Sequence, residues 1–344
     1  MPRNPRIKVY FNSTLHHFSQ LIAGLEYLSQ IKEIDLEYFL DLGCYPFDIF
    51  RIEYNGLRVF VDMADNSRIY ESLYNESDFY IKRMLLKSDY QERRKLIPYG
   101  FYYPVYYHNS YLKWLFLKNK KFARYSVKYW KLMSEILNIK DSIAVNEISE
   151  LESKPSDSRT IIFRARLWNP ENNNEEWKKR ERMVLNSERI EVNRILKTEF
   201  NSDFIGGILK DKFSEENCPD LILPQIEYHR KSYIKALKKS SIGIVNQGLE
   251  DSIGAKLGEY LANGLAVITS PIHKFQLHGD FRENQNYLSY SSVEQCIEIV
   301  KHLHKDDNFR KNIQNNNFKY YHQYLQPGKK MKHIFALIEN SINC

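Results

Sequence analysis

Between Ser241 and Thr269 the chain reads SIGIVN, a polar loop, a stretch of helical period and then LAVIT, and no other feature restricts the fold as much. SIGIVN is short, apolar and bounded by polar residues, the pattern of a parallel strand buried on both faces. Gln247 to Glu250 form a loop, Asp251 or Ser252 caps a helix through Asn263, and Gly264 stands where a helix end wants a left-handed residue. Leu265 to Thr269 is the next strand. Such a unit puts the helix N-terminus at the carboxyl edge of a sheet, where unpaired N–H groups and the helix dipole favour a phosphate. Gly254 lets a ligand approach the backbone closely.

Glu259 follows Asp251 by eight residues, just over two helical turns, with Lys256 between them. A carboxylate there can accept hydrogen bonds from a ribose hydroxyl pair. The spacing resembles the donor-site signature of GT-B fold glycosyltransferases of the group 1 type, in which an acid, a short glycine loop and a second acid eight residues later precede "small residue, x, Gly, x, x, Val, Ile". Asp251 stands where Glu is commoner and Ala266 where proline is usual, departures that bear on the subfamily more than on the fold. Without a ligand, the same residues read as an ordinary helix between two strands with Glu259 solvated.

A chain of 344 residues, 43% of them hydrophobic, has room for two domains with their own cores. No stretch approaches the roughly 20 apolar residues that span a bilayer, and MPRNPRIKVYF runs into a strand without a signal-peptide core, so a cytoplasmic location is expected. Cys44, Cys218, Cys296 and Cys344 lack the spacing of a zinc site or a disulfide framework. The charge of +7 is modest for this length and fits a nucleotide, an acidic lipid or a nucleic acid.

Strand and helix patterns alternate along both halves. Ile7 to Phe11 is a strand, followed by cap candidates Asn12 to Thr14 and an amphipathic helix to about Gln30. Asp35 to Leu40, Phe50 to Tyr54 and Leu57 to Val61 read as strands, the last two joined by the hairpin signal Asn55-Gly56. Residues 111–137 have the pattern of a Lys-rich helix with aromatics such as Trp114, Phe122 and Trp130; it suits either an anionic headgroup layer or packing on its own sheet. The polar segment Glu147 to Arg159 separates the halves. Beyond it, Thr160 to Phe163, Phe204 to Ile208 and Leu221 to Leu223 read as strands, and Glu175 to Thr198 and Ser232 to Lys239 as helices. Two doubly wound Rossmann-like α/β domains are expected, over residues 1–152 on the acceptor side and 158–326 on the nucleotide-sugar side. The GT-B resemblance implies that they face each other across a cleft and that the helix in 327–344 packs back on the first. In the first half, DMADNS, FYIKR and PYGFYYP also look like bacterial capsule and O-antigen sugar transferases.

Transfer from a nucleoside diphosphate sugar needs stabilisation of the departing diphosphate and, commonly, a base for the acceptor hydroxyl. The family generally works without a metal, and no Asp-x-Asp triplet is present. Arg166, in Arg164-Ala165-Arg166-Leu167, resembles the arginine of the family's "Gly-Arg-Leu" element. It is the first choice for the diphosphate, because a guanidinium grips phosphate oxygens bidentately. Lys256 is the second, and Ser252, Ile253 and Gly254 would offer N–H groups or a hydroxyl. Base recognition would fall to loops at Gly206-Gly207 and Pro224 to Tyr228, with Tyr228 stacking on the base. For a catalytic base the candidates are His16, His17, Asp62, Asp65 and His108, with Asp62 and Asp65 ranked first because they follow a strand directly. Arg166 and Lys256 also have an ordinary reading as solvated charges, and Asp65 as the cap of the next helix.

The expected function is a metal-independent transfer of a sugar from a nucleoside diphosphate donor to a growing, lipid-linked surface glycan (capsule, O-antigen or exopolysaccharide), with no cofactor. The implied partners are the donor, the glycan acceptor and, peripherally, the anionic inner face of the membrane. A nucleotide-sugar epimerase or hydrolase of the same fold is the enzymatic rival. A nucleic-acid-binding protein is the rival of another class, and it lacks any recognition signature. Glu259→Ala is expected to weaken donor binding and Arg166→Ala to slow turnover, both without unfolding.

Overall fold

The computed structural model describes residues 4–11, 15–41, 45–46, 48–107 and 146–342. The Lys-rich stretch 111–137, His108, Asn12 to Thr14, Cys44 and Cys344 lie outside the described residues. The chain forms two compact units, Met1–Leu151 with Tyr324–Cys344, and Glu152–Gln323.

In the first unit, β1 (Arg6–Phe11) leads into α1 (Leu15–Gln30), and β2 (Asp35–Leu40), β3 (Ile49–Tyr54) and β4 (Leu57–Asp62) follow. Asn55 and Gly56 turn the β3–β4 hairpin with φ of 51° and 90°, the two positive values that a tight hairpin needs to match strand twist. Then come α2 (Glu71–Glu76), β5 (Phe79–Lys82), α3 (Lys87–Glu92) and β6 (Leu96–Pro98). The sheet order is β2-β1-β3-β4-β5-β6, with β3 antiparallel to both neighbours and the other pairs parallel. Two residues each form β7 (Val105–Tyr106) and β8 (Asn146–Glu147), paired in parallel, and α4 (Ile148–Leu151) closes this part. Tyr99, Phe101, Tyr102 and Tyr103 are all buried, so this part of the tyrosine-rich run is core.

Helix α11 (Pro327–Ile342) belongs to the same unit and packs along α1. It starts at Pro327 itself, which fits a first helical turn where no N–H is needed. Tyr54 stacks on Phe335 with ring centroids 4.8 Å apart. At Gly24 the two helices are in close contact: a Cβ there would lie 2.4 Å from the Pro327 carbonyl oxygen. Gly24→Ala is therefore expected to destabilise this unit by about 1–3 kcal/mol in denaturant unfolding, the usual cost of overpacking.

The second unit is built on β9 (Ile161–Ala165), α5 (Glu176–Phe200), β10 (Phe204–Ile208), α6 (Lys212–Asn217), α7 (Arg230–Lys239), β11 (Ile242–Val245), α8 (Lys256–Ala262), β12 (Ala266–Thr269), β13 (Tyr287–Ser289), α9 (Val293–Lys305) and α10 (Asp307–Tyr320). All five strands are parallel, in the order β10-β9-β11-β12-β13. Every residue of β9, β11 and β12 is buried, as expected of strands covered on both faces. Leu221 to Leu223 does not form a strand; Pro219–Leu221 is a helical turn, and Ile222 makes a single bridge to Ile208. Among the described residues no helix is long and apolar enough to cross a membrane.

Candidate active site

The strand order of the second unit has a switch point between β9 and β11, because the chain leaves β9 toward β10 and leaves β11 toward β12. Loops diverge there and leave a crevice at the carboxyl edge. The β9–β11 ladder covers only Ile161–Ile242 and Ile162–Gly243, so the strands part before their carboxyl ends.

Two cations satisfy the main chain at that gap. Arg189, from α5, is 5% exposed. It donates to the Arg166 carbonyl at 2.7 Å, to Asn246 Oδ1 at 3.0 Å and to the Gln247 carbonyl at 3.2 Å. Its guanidinium also lies over the Trp168 ring, 3.9 Å from the centroid. Burial pulls its pKa down to about 10, so it stays charged at neutral pH. Lys256, the first residue of α8, donates from Nζ to the Arg164 carbonyl. Its side chain keeps partial exposure, yet burial of the ammonium, then Arg189, lower its pKa to about 7, with Glu259 opposing. Arg166 points outward: its side chain is exposed and forms no ion pair among the described residues.

Glu259 lies on α8 and is 3% exposed. Arg230 of α7 forms an ion pair with it, and Tyr233 donates to its Oε2 at 2.7 Å. The carboxylate is thus a fixed, buried partner rather than the solvated group of an ordinary helix. Arg164 is buried too, and donates to Glu227 at 2.6 Å.

The loop before α8 differs from its expected form. Glu250 and Asp251 both adopt left-handed conformations, with φ of 56° and 59°, and Ser252 is extended. Neither Asp251 nor Ser252 caps the helix, which begins at Lys256 after Ala255 and runs seven residues. So short a helix supplies little dipole, and the nearby cations carry the electrostatics. Two non-glycine residues in this region cost about 1–3 kcal/mol each. The loop is held by Gly248 N–H donating to the Ser252 carbonyl at 2.9 Å, by Glu250 N–H donating to Glu181 at 2.6 Å, and by an ion pair of Asp251 with Lys274.

Asp251, Ser252, Ile253 and Gly254 line a small, partly open pocket, together with Asn246 and residues at the end of β12. A Cβ on Gly254 would meet only Val245 at 3.5 Å and the Asn246 carbonyl at 4.0 Å. Gly254→Ala should therefore fold normally, with an unchanged Tm in thermal unfolding.

Tyr228 is half-buried, and its hydroxyl accepts from Lys210 N–H at 2.8 Å, which fixes the ring without occupying its faces. Gly206 and Gly207 serve packing: Cβ atoms there would strike Phe204 and the Leu221–Leu223 segment. In the first unit, Asp62 has no exposed surface and is engaged at both oxygens, by Ala64 N–H at 3.0 Å, Tyr80 at 2.6 Å and Lys82 at 2.9 Å. That places it as the structural partner of Lys82 rather than as a base reaching an acceptor. Asp65 reaches the surface and pairs with Arg83. His17 Nδ1 is 3.1 Å from Asp48, and His16 belongs to the same helix, α1. Arg189, Arg230 and Asn246 join the second unit's site without any motif announcing them.

No family model and no curated protein matches the chain. Among solved structures it is similar to an alpha-glucosyltransferase (AGT) in complex with UDP, at 10% identity and a TM-score of 0.46, over 98% of this chain and 100% of that one. It is similar to an alpha1,3-fucosyltransferase with GDP, at 12% identity and a TM-score of 0.40, over 100% of this chain and 92% of that one. For a glycosyltransferase from Rickettsia africae ESF-5 the identity is 12% and the TM-score 0.41, over 96% of this chain and 84% of that one. The chain has two α/β units, the second with a wholly parallel five-stranded sheet.

Proposed function

We propose that the protein is a glycosyltransferase that takes a sugar from a nucleoside diphosphate donor bound at the switch point of the second unit. The observation that carries this reading is the placement of Arg189 and Lys256 at the parted ends of β9 and β11, where they donate to the Arg166 and Arg164 carbonyls, with the Asp251–Gly254 pocket adjoining at Asn246. In transfer, the bond from the anomeric carbon to the phosphate oxygen breaks, a bond to the acceptor oxygen forms, and the acceptor hydroxyl loses its proton. The leaving diphosphate gains negative charge, and fixed cations near it lower the barrier without reorganising. Arg166, being exposed and unpaired, is assigned to the phosphate oxygens, and Lys256 to the same charge from the α8 side. These side chains would supply the neutralisation themselves, without a metal. Asp65 and His17, both with surface exposure, are the proposed candidates for the acceptor's proton.

The proposed acceptor is a growing, lipid-linked surface glycan, with the enzyme acting peripherally at the inner face of the membrane. This part rests on the Lys-aromatic sequence of residues 111–137. Neutralising Lys113, Lys118, Lys120 and Lys121 should weaken binding to anionic vesicles by about 1 kcal/mol per lysine, read by vesicle co-sedimentation. Equal sedimentation would remove the membrane role.

Incubating the protein with a panel of nucleotide sugars and a lipid-linked acceptor, with products read by mass, tests the reaction class. An acceptor heavier by one sugar is the expected product. Free sugar or an epimerised donor, with the acceptor unchanged, would point to the hydrolase or epimerase instead.

A further inference from the structure

Arginine has only donors, so a side-chain amide that meets a guanidinium must turn its oxygen toward it. Arg189 Nε donates to Asn246 Oδ1 at 3.0 Å, while the rest of its fork is taken up by the Arg166 and Gln247 carbonyls and its plane is stacked on Trp168. The sense of the Asn246 amide is thereby fixed, and Nδ2 is what remains for other contacts. That Nδ2 is buried and has no hydrogen-bond partner among the described residues. Asn246 itself is 8% exposed and lines the pocket shared with Asp251 and Gly254. Buried donors are nearly always satisfied, and one left open at a pocket is explained by a ligand that completes it.

We infer that Asn246 Nδ2 donates to an acceptor oxygen of the bound nucleotide sugar, and that Arg189 is the positioning residue that makes Asn246 a donor there rather than an acceptor. The inference rests on the nucleotide-sugar reading and adds to it a residue that reads the ligand. The acceptor oxygen belongs either to the diphosphate or to the transferred sugar; both present the same chemistry to an amide N–H.

Asn246→Asp separates this role from a structural one. Aspartate keeps the shape and still accepts from Arg189, but it cannot donate. The variant should melt close to the wild-type Tm, since Arg189 gains a carboxylate partner while the second carboxylate oxygen takes the place of the unsatisfied donor. UDP, UDP-glucose, GDP and GDP-mannose are titrated into the wild type and the variant. If the oxygen is on the diphosphate, affinity for nucleotide and nucleotide sugar falls together, by tenfold or more. If it is on the sugar, UDP or GDP binds as before, and the advantage of the sugar nucleotide over it is lost. A folded variant that binds all four probes as the wild type does overturns the role of Asn246. A wild-type protein that binds none of them removes the nucleotide reading, and this inference with it.

Arg189→Lys tests the positioning role, because it keeps the charge but not the fork that orients the amide. Its loss of affinity should largely vanish in the Asn246→Asp background, where there is no amide left to orient. Additive losses would show that Arg189 acts independently.

Discussion

Glu259→Ala is expected to lose about 3–5 kcal/mol of stability in chemical unfolding, because it leaves the Arg230 guanidinium buried without its counter-charge. Arg230 and Glu259 have side-chain exposures of only 10% and 4%, and Tyr233 would lose its acceptor as well. This loss of stability comes in addition to the weakened donor binding expected from the sequence. Glu259→Gln keeps the volume and an acceptor oxygen, and should cost far less. Replacing both partners, Glu259→Leu with Arg230→Met, should recover most of the stability, since a buried pair exchanged for apolar residues is often neutral. If Glu259 also binds the donor, the double variant folds but does not bind nucleotide. Wild-type stability for Glu259→Ala would mean that the pair is not buried as described.

Lys256→Met is expected to weaken nucleoside diphosphate binding roughly 10- to 100-fold, the scale of a lost charge-assisted hydrogen bond, while making the free protein more stable at acid pH. The lysine's pKa is lowered to about 7 by burial first and by Arg189 second. Folding thus lowers the pKa from its ordinary value, and the folded state bears the full cost of the buried charge below pH 7. That cost fades as pH rises from 7 toward the unfolded value, because the folded protein releases the proton first. Methionine removes the cost, so the variant's advantage should be largest below pH 7 and shrink above it. Binding has the opposite trend in the wild type. An incoming diphosphate favours the ammonium form, so affinity should weaken as pH rises above 7, with proton uptake measurable by calorimetry in buffers of different ionisation enthalpy. The slope should be absent in Lys256→Met. A wild-type affinity that is flat from pH 6.5 to 9 on the scale of ordinary titration would show that Lys256 does not meet the phosphate.

The parts of this fold that local chemistry decides were readable in the sequence. SIGIVN and LAVIT are strands because uninterrupted apolar runs suit a sheet covered on both faces, and Asn55-Gly56 turns a hairpin because both residues accept positive φ. Gly264, with φ of 58°, ends its helix as its position implies. Features decided by distant contacts were not readable. Asp251 and Ser252 look like caps, but Glu181 from α5 and Lys274 beyond β12 hold the loop in left-handed geometry, which delays the helix to Lys256. Arg189 sits in the charged run NSERIEV and looks like any solvated helix residue; only the divergence of β9 and β11 gives it a place to be buried. Asp62 was conspicuous at its strand end, where Lys82 on the neighbouring strand neutralises it.

Titration calorimetry of UDP and GDP into the wild-type protein, with Arg166→Ala alongside and an oligonucleotide as control, tests the central claim most directly. The account predicts saturable one-site binding of at least one nucleoside diphosphate, weakened in Arg166→Ala without a change in Tm, and no comparable binding of the oligonucleotide. Binding of neither nucleotide, or equal affinity in the arginine variant, would contradict the placement of a diphosphate at the parted ends of β9 and β11.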